Sequence, residues 1–205
     1  MANDDLIRRW GGLVPATQPY GQVKGNWYKL TTGGSTVEIY FGMPMDMDAN
    51  GQVVPYTVAS NNLSIGPALA FSDTNRASIP SAMATLSAGP YLPGNTDAYV
   101  FIADDPDQEF YIQEATNSTA LTQAAAGANA TIRYRSTSGS TVTGWSTVEI
   151  DRASIGTTTG GLLQLIKPAD GPTNSDGTDN APGNYCKWVV KIFLHRFNGF
   201  TGSPI

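Results

Sequence analysis

The chain has one cysteine, Cys186, and one histidine, His195, among its 205 residues. A single cysteine cannot form an intrachain disulfide, so stability must come from packing and assembly. Zinc and iron sites of ordinary composition need several Cys or His ligands, so this chain alone is not expected to build one. Cys186 falls on the apolar side of a predicted strand, where we expect a buried thiol that packs as a small hydrophobe. We expect His195 to be a structural or interface residue.

Charge is scarce as well. Charged residues are 14 % of the chain, against roughly a quarter in average soluble domains. The net charge of -5 and the scattered Lys and Arg residues oppose binding to a phosphate backbone, so we expect no nucleic-acid partner. There is no signal-peptide pattern, and no apolar run approaches the roughly 20 residues that cross a bilayer. We therefore expect no membrane partner and synthesis in a cytoplasm.

The sequence also lacks the common catalytic motifs. It has no glycine-rich phosphate loop ending in Lys-Ser/Thr and no Gly-x-Ser-x-Gly elbow. Acid–base and nucleophilic catalysis both need a positioned base, and a single histidine near the end of the chain is a poor candidate. We expect no enzymatic activity, no catalytic residue and no cofactor.

Two acidic segments raise the question of a bound cation. Residues 46–51 (DMDANG) match the first half of a calcium loop, but Thr57 stands where a bidentate Glu should close it. Asn-Gly at the end of this segment is equally a hairpin signal. The second segment, Asp104, Asp105, Pro106 and Asp107, has the composition of a tight connection between strands. In both segments we favour the turn over the metal site.

The composition that remains is typical of an all-β protein. The chain has 22 Gly and 13 Pro, which punctuate turns, while Thr, Val, Ile and Tyr favour strands. We predict an antiparallel jelly-roll or β-barrel-like body with long loops. The predicted strands cover residues 26–31, 36–43, 52–58, 98–103, 108–114, 130–135, 147–151, 162–167 and 185–197.

The last of these strands is the strongest prediction. Its even positions from 186 to 194 are apolar and its odd positions are mixed, which indicates one buried face. We therefore expect it at the centre of the core. These even positions are Cys186, Trp188, Val190, Ile192 and Leu194.

Four other regions lack a strand pattern. Residues 66–94 are predicted to form a long loop with one helical turn, and loops of that length are usually functional or touch a partner. Residues 136–144 and 168–183 are predicted to form exposed loops, and residues 119–126 a short helix.

Residues 1–24 have neither a helical nor a strand period and are predicted to form an N-terminal arm on a single β domain of residues 25–205. The arm is too apolar for a solvated tail, so it should lie on its own domain or on a neighbouring subunit. A strand packed on its own core is the alternative. The candidate capsid- or subunit-interface residues of the arm are Leu6, Ile7, Trp10, Leu13 and Val14.

Residues 98–114 (AYVFIADDPDQEFYIQE) carry a resemblance to a known group. A strand, an Ala-Asp-Asp-Pro-Asp turn and a strand ending in Gln-Glu resemble tailed-bacteriophage virion structural proteins of the head decoration (cement) type. The likeness covers most of the chain and is loosest in the arm. Further segments that resemble the group are residues 124–129, 146–151, 163–166 and 187–192.

The resemblance implies a decoration protein on the capsid exterior of the virion. Its partners would be the major capsid protein and further copies of itself in a homotrimer, and it would stabilise the head against DNA pressure. Another virion component, such as a head–tail connector or tail protein, is an alternative. A carbohydrate-binding module is a third reading, since exposed aromatic residues can stack on sugars, but we favour a place for these residues in the sheet core or at a subunit interface. The candidate aromatic residues are Trp27, Tyr28, Tyr91 and Trp145.

Overall fold

The computed structural model describes residues 3, 12–16, 23–30, 37–58, 62–72, 91–156, 161–171, 174 and 176–198. Within these ranges the chain is all-β, as predicted, and its only helical segments are the 3-10 turns Gln123–Ala125 and Arg152–Ser154. The strands are β1 (Val14–Pro15), β2 (Asn26–Lys29), β3 (Pro44–Met47), β4 (Val53–Pro55), β5 (Gly66–Ser72), β6 (Tyr99–Ile102), β7 (Glu109–Gln113), β8 (Asn129–Ala130), β9 (Ile132–Gly139), β10 (Ser146–Ile150), β11 (Leu163–Pro168) and β12 (Lys187–Ile192).

The first sheet has the order β1-β7-β12-β11-β8 and is antiparallel throughout. Strand β12 lies at its centre, which confirms the position predicted for the last strand. The alternating apolar residues of that run explain the placement, because Trp188 and Val190 are fully buried and Ile192 is 2 % exposed. Burial of a continuous apolar face on a central strand is the main source of stability in such a sheet.

The second sheet has the order β2-β6-β5-β3-β4. A parallel bridge between Leu30, just after β2, and Val53 in β4 brings the first and last strands of this sheet together. Strands β9 and β10 form a separate antiparallel ribbon. A bridge between Glu114 and Ile150 attaches this ribbon to the end of β7.

Each large sheet has its own hydrophobic cluster. The cluster of the first sheet contains Trp188 and Phe110, and the cluster of the second contains Tyr40 and Phe71. Tyr134 of β9 packs against both. The ribbon therefore contributes to the contact between the two halves of the body.

Several predicted elements differ from those observed. The last strand is shorter than residues 185–197, and β9 extends into the loop predicted from residue 136. Of the predicted strand 36–43, the structure describes residues 37–43, and there the pairing consists of isolated bridges at Ile39 and Phe41. The predicted helix at residues 119–126 is reduced to the turn Gln123–Ala125, which has no side-chain cap.

Strand β5 occupies the start of the region that was predicted to be a loop, residues 66–94. Its Gly, Pro and Ala residues weaken the strand pattern, but they permit a close approach to the neighbouring chain. A Cβ atom on Gly66 would lie 1.9 Å from the carbonyl oxygen of Ala103, and its φ of +134° favours glycine. Glycine is therefore required at position 66, because the backbone of Ala103 lies too close for a Cβ atom.

Residues 12–16 are part of the body. Leu13 is fully buried in the first cluster, and Val14 pairs with Tyr111 of β7. The amide of Gly12 donates to the Val148 carbonyl. For residues 12–16, the alternative to a free arm, a strand packed on its own core, therefore describes the structure.

Replacing Leu13 with alanine is expected to destabilise the protein by about 2–5 kcal/mol, because the side chain leaves a cavity in the core. Chemical denaturation followed by tryptophan fluorescence measures the loss. Val14→Ala is the matched control, since Val14 is half-buried, and it should cost less. Equal, small losses for both variants would contradict the burial of Leu13.

Candidate functional site

The acidic turn between β6 and β7 is the segment on which the resemblance rests. Asp104 Oδ2 accepts hydrogen bonds from the Asn26 side chain at 2.8 Å and from the Tyr28 hydroxyl. Asp105 Oδ1 accepts from the Asp107 amide at 2.9 Å, and Asp105 Oδ2 lies 3.3 Å from Lys24 Nζ. The turn is therefore held by its own backbone and by side chains of residues 24–28.

Asp107 extends these contacts to the other sheet. Its Oδ1 lies 3.4 Å from Lys191 Nζ of β12. The amide of Asp107 and then Lys24 lower the pKa of Asp105. Burial, followed by the hydrogen bond to Asp104, raises the pKa of Tyr28. All three carboxylates of the turn are bonded, each to a different set of partners, as expected for a tight connection.

The segment of residues 46–51 also forms a turn. Asp46 Oδ1 accepts from Arg196 at 2.6 Å, whereas Asp48 Oδ1 accepts from the amides of Asn50 and Gln52 at 2.9 and 2.8 Å. The segment connects the antiparallel pair β3 and β4, which is the hairpin reading. In the part of the chain that the structure describes, no three His, Cys, Asp or Glu residues are placed to hold a metal ion.

A buried polar cluster lies beneath the first sheet, and no sequence pattern indicated it. Glu114 is fully buried, and its Oε1 pairs with Arg152 Nη2, while its Oε2 accepts from Trp188 Nε1 at 3.1 Å. Arg152 Nη1 donates to Ser118 O and to Asn184 Oδ1, both at 3.0 Å. The cluster joins β7, the 3-10 turn after β10, and β12.

The charge balance of this cluster is set by burial. Loss of hydration raises the pKa of Glu114 to about 6, although Arg152 and Trp188 act in the opposite direction. Cys186 is also fully buried, as predicted, and burial raises the pKa of its thiol to about 12. A thiol of this kind is protonated and unreactive at neutral pH.

His195 is buried beyond the end of β12, near the acidic turn. Its Nδ1 accepts a hydrogen bond from the Phe197 amide at 3.1 Å, so the imidazole hydrogen lies on Nε2. Burial lowers the pKa of His195, while the carbonyl of Ile65 and then Asp104 and Asp105 oppose the change. Protonation would place a hydrogen on Nδ1 facing the Phe197 N–H, which removes that bond.

We expect the contribution of His195 to stability to fall as the pH drops below about 6.5, the unfolded pKa of histidine. The folded pKa of His195 lies lower, so the unfolded chain takes up the proton first and stability is lost through this window. Urea midpoints between pH 7.5 and 5 measure the slope. His195→Asn, which keeps an acceptor near Phe197, should flatten it, and an unchanged slope would contradict the assignment to His195.

The aromatic residues considered for sugar binding are half-buried in packing contacts. Trp27 packs against Phe101 with ring centroids 5.5 Å apart, and Tyr91 stacks on Tyr40 at 5.5 Å. Trp145 meets Phe41 edge-on at 4.5 Å. Each ring packs against a strand or loop of the second half of the body, which agrees with the preferred reading of these residues as part of the sheet core.

The predicted interface residues of the arm fall into two groups. Leu13 and Val14 lie against the body, while Leu6, Ile7 and Trp10 lie outside the described residues. A separate apolar groove opens where the two halves meet, and Val37 and Val58 on its rim are 42 % and 43 % exposed. Its walls are formed by Met43, Val54, Pro55, Tyr56, Thr57, Tyr134 and Ser138.

Within the described ranges, no helix has the length and apolar character needed to span a bilayer. No family model, no curated protein and no solved structure matches this chain.

Proposed function

We propose that this protein is a capsid decoration protein of a tailed bacteriophage, which binds the exterior of the assembled head. The observation that carries the proposal is the segment of residues 98–114, whose sequence resembles that group. In the fold this segment is β6, the acidic turn and β7, and it passes from the second sheet to the first. The resemblance therefore falls on the connection that holds the two halves together.

The use of the polar side chains supports a structural role. The carboxylates of Asp46, Asp104, Asp105 and Glu114 are bonded to neighbouring elements. His195 is buried, with Nδ1 already accepting from the backbone. Because these polar groups hold strands together, they support the proposal of a rigid body that acts through its surface.

The proposed partners are the major capsid protein and two further copies of this chain in a trimer. Three linked contacts to a shell raise the effective concentration of each one, so individually weak contacts suffice. A protein that binds only the assembled, expanded lattice stabilises that lattice by mass action. Leu6, Ile7 and Trp10 stay predicted contact residues.

Phage particles lacking this protein are expected to release DNA at lower temperature than the parent, because the lattice loses the stabilisation supplied by binding. Fluorescence of a DNA-binding dye during a temperature ramp measures the release. Adding the purified protein back to the deficient particles should restore the parental transition. Equal transition temperatures for parent and deficient particles would contradict the cementing role.

A further inference from the structure

Lys187 is unusual because its whole side chain is buried. It is the first residue of β12 and is 0 % exposed. The alternation of the last strand placed Lys187 on the mixed, partly exposed face, so its burial is a departure from the prediction. Lysine is rarely buried in full, because its ammonium group loses its hydration. The groups that contact the buried amine therefore decide how it is accommodated.

One hydrogen-bond partner of the Lys187 amine is a side-chain amide. Lys187 Nζ lies 3.3 Å from Asn174 Oδ1, and Asn174 is 6 % exposed. The Asn174 amide nitrogen donates to Thr178 Oγ1 and to the Asp179 carbonyl, both at 3.1 Å. These bonds fix the orientation of the carboxamide, whose oxygen faces the amine and whose carbonyl carbon is one covalent bond away from that oxygen.

The lysine backbone is held equally firmly. The Lys187 amide donates to Asn180 Oδ1 at 2.9 Å, and the Lys187 carbonyl accepts from Asn180 Nδ2 at 2.8 Å and from the Ala169 amide at 2.8 Å. The loop that carries Asn174 is therefore fastened to the strand that carries Lys187. An amine and a carboxamide that are held next to each other on ordered backbone gain part of the advantage of an intramolecular reaction.

The surroundings exclude water. Lys187 pairs in register with Gln113, so their side chains share one face of the sheet. Gln113 is 0 % exposed, and its amide lies 3.4 Å from Oε1 of Glu149, which is 2 % exposed. A dry, polar pocket favours a neutral product over a buried ammonium group.

We propose that Lys187 and Asn174 form an intramolecular isopeptide bond. The neutral amine attacks Cγ of Asn174, the Nζ–Cγ bond forms, and the Cγ–Nδ2 bond breaks. One proton from Nζ leaves with Nδ2 as ammonia. Overall, a lysine ammonium and a carboxamide become a secondary amide and an ammonium ion, so atoms and charge balance without an oxidant or another reactant.

The consequence is a covalent cross-link between Asn174 and the central strand. A cross-link of this kind restricts the unfolded chain and so stabilises the folded one, as a disulfide does. The chain has a single cysteine and cannot form an intrachain disulfide, and this bond would supply a comparable restraint. The inference concerns the chain itself and does not depend on the proposed function.

Mass spectrometry of the purified full-length protein tests the proposal. The expected mass is lower than that of the sequence by one ammonia. Trypsin should fail to cleave after Lys187, so that the peptide starting at Ala153 continues to Lys191 and carries the same loss. Fragment ions should be missing between residues 174 and 187, where the chain is closed into a ring.

Three variants distinguish this bond from other sources of ammonia. Lys187→Met should restore the full mass, whereas Lys191→Met, which removes a partly exposed lysine of the same strand, should keep the loss. Asn174→Asp should lose water instead of ammonia. A wild-type protein of full mass after prolonged incubation overturns the proposal. So does a loss that survives in Lys187→Met or that maps to a succinimide at Asn50-Gly51.

Discussion

Replacing Arg152 with methionine is expected to destabilise the protein by about 3–5 kcal/mol, because it leaves the Glu114 carboxylate buried without its ionic partner. The indole of Trp188 and the backbone amide of Leu121 would then remain as donors to this carboxylate. Chemical denaturation at pH 7.5 measures the change in the free energy of unfolding. The loss should be smaller at pH 5, where Glu114, with its pKa already near 6 in the intact protein, is neutral.

Two comparisons identify the origin of that loss. Lys191→Met breaks the exposed pair with Asp107 and should have no measurable effect, since solvent screens such pairs. Replacing Glu114 with leucine together with Arg152→Met should cost less than Arg152→Met alone, because no unpaired charge remains inside. Equal losses for the buried and the exposed pair would show that the cluster does not hold the turn after β10 to the first sheet.

Replacing Trp188 with alanine is expected to cost about 3–5 kcal/mol, the usual result of removing a large buried aromatic side chain. Trp188 is 0 % exposed at the centre of the first cluster. Trp188→Phe keeps most of the packing and loses the indole hydrogen bond to Glu114, so its cost should be about 1–3 kcal/mol. Thermal unfolding followed by circular dichroism orders the three proteins.

Trp27→Ala provides the matched control for this series. Trp27 lies on β2 at the side of the second sheet and is half-buried, so its removal should be tolerated better. If Trp27→Ala and Trp188→Ala are equally damaging, the central position of β12 is incorrect.

The parts of the fold that follow from local pattern were predictable. The alternation from Cys186 to Ile192 specifies a strand with one buried face, and Asn50-Gly51 specifies a hairpin. Strand β5 could not be found in this way, because Gly66 and its neighbours are small for a reason that lies in another strand. The close approach to Ala103 is a tertiary contact, and local propensity carries no information about it.

The buried polar residues were unpredictable for a related reason. Glu114 and Arg152 are 38 positions apart in the chain. Glu114 ends one predicted strand and Arg152 comes directly after another, and a charged residue at either position would suit an exposed site. Lys187 likewise alternates as an outward-facing residue would. Their burial depends on the loop of residues 176–184 and on the turn after β10, which cover faces that the strand pattern leaves open.

Quantitative mass spectrometry of purified phage particles tests the central claim most directly. A decoration protein should be present in mature virions at a copy number comparable with that of the major capsid protein, and a map of the head should place it on the outer surface. About a dozen copies would instead indicate a connector or tail component. Its absence from mature particles would contradict the account.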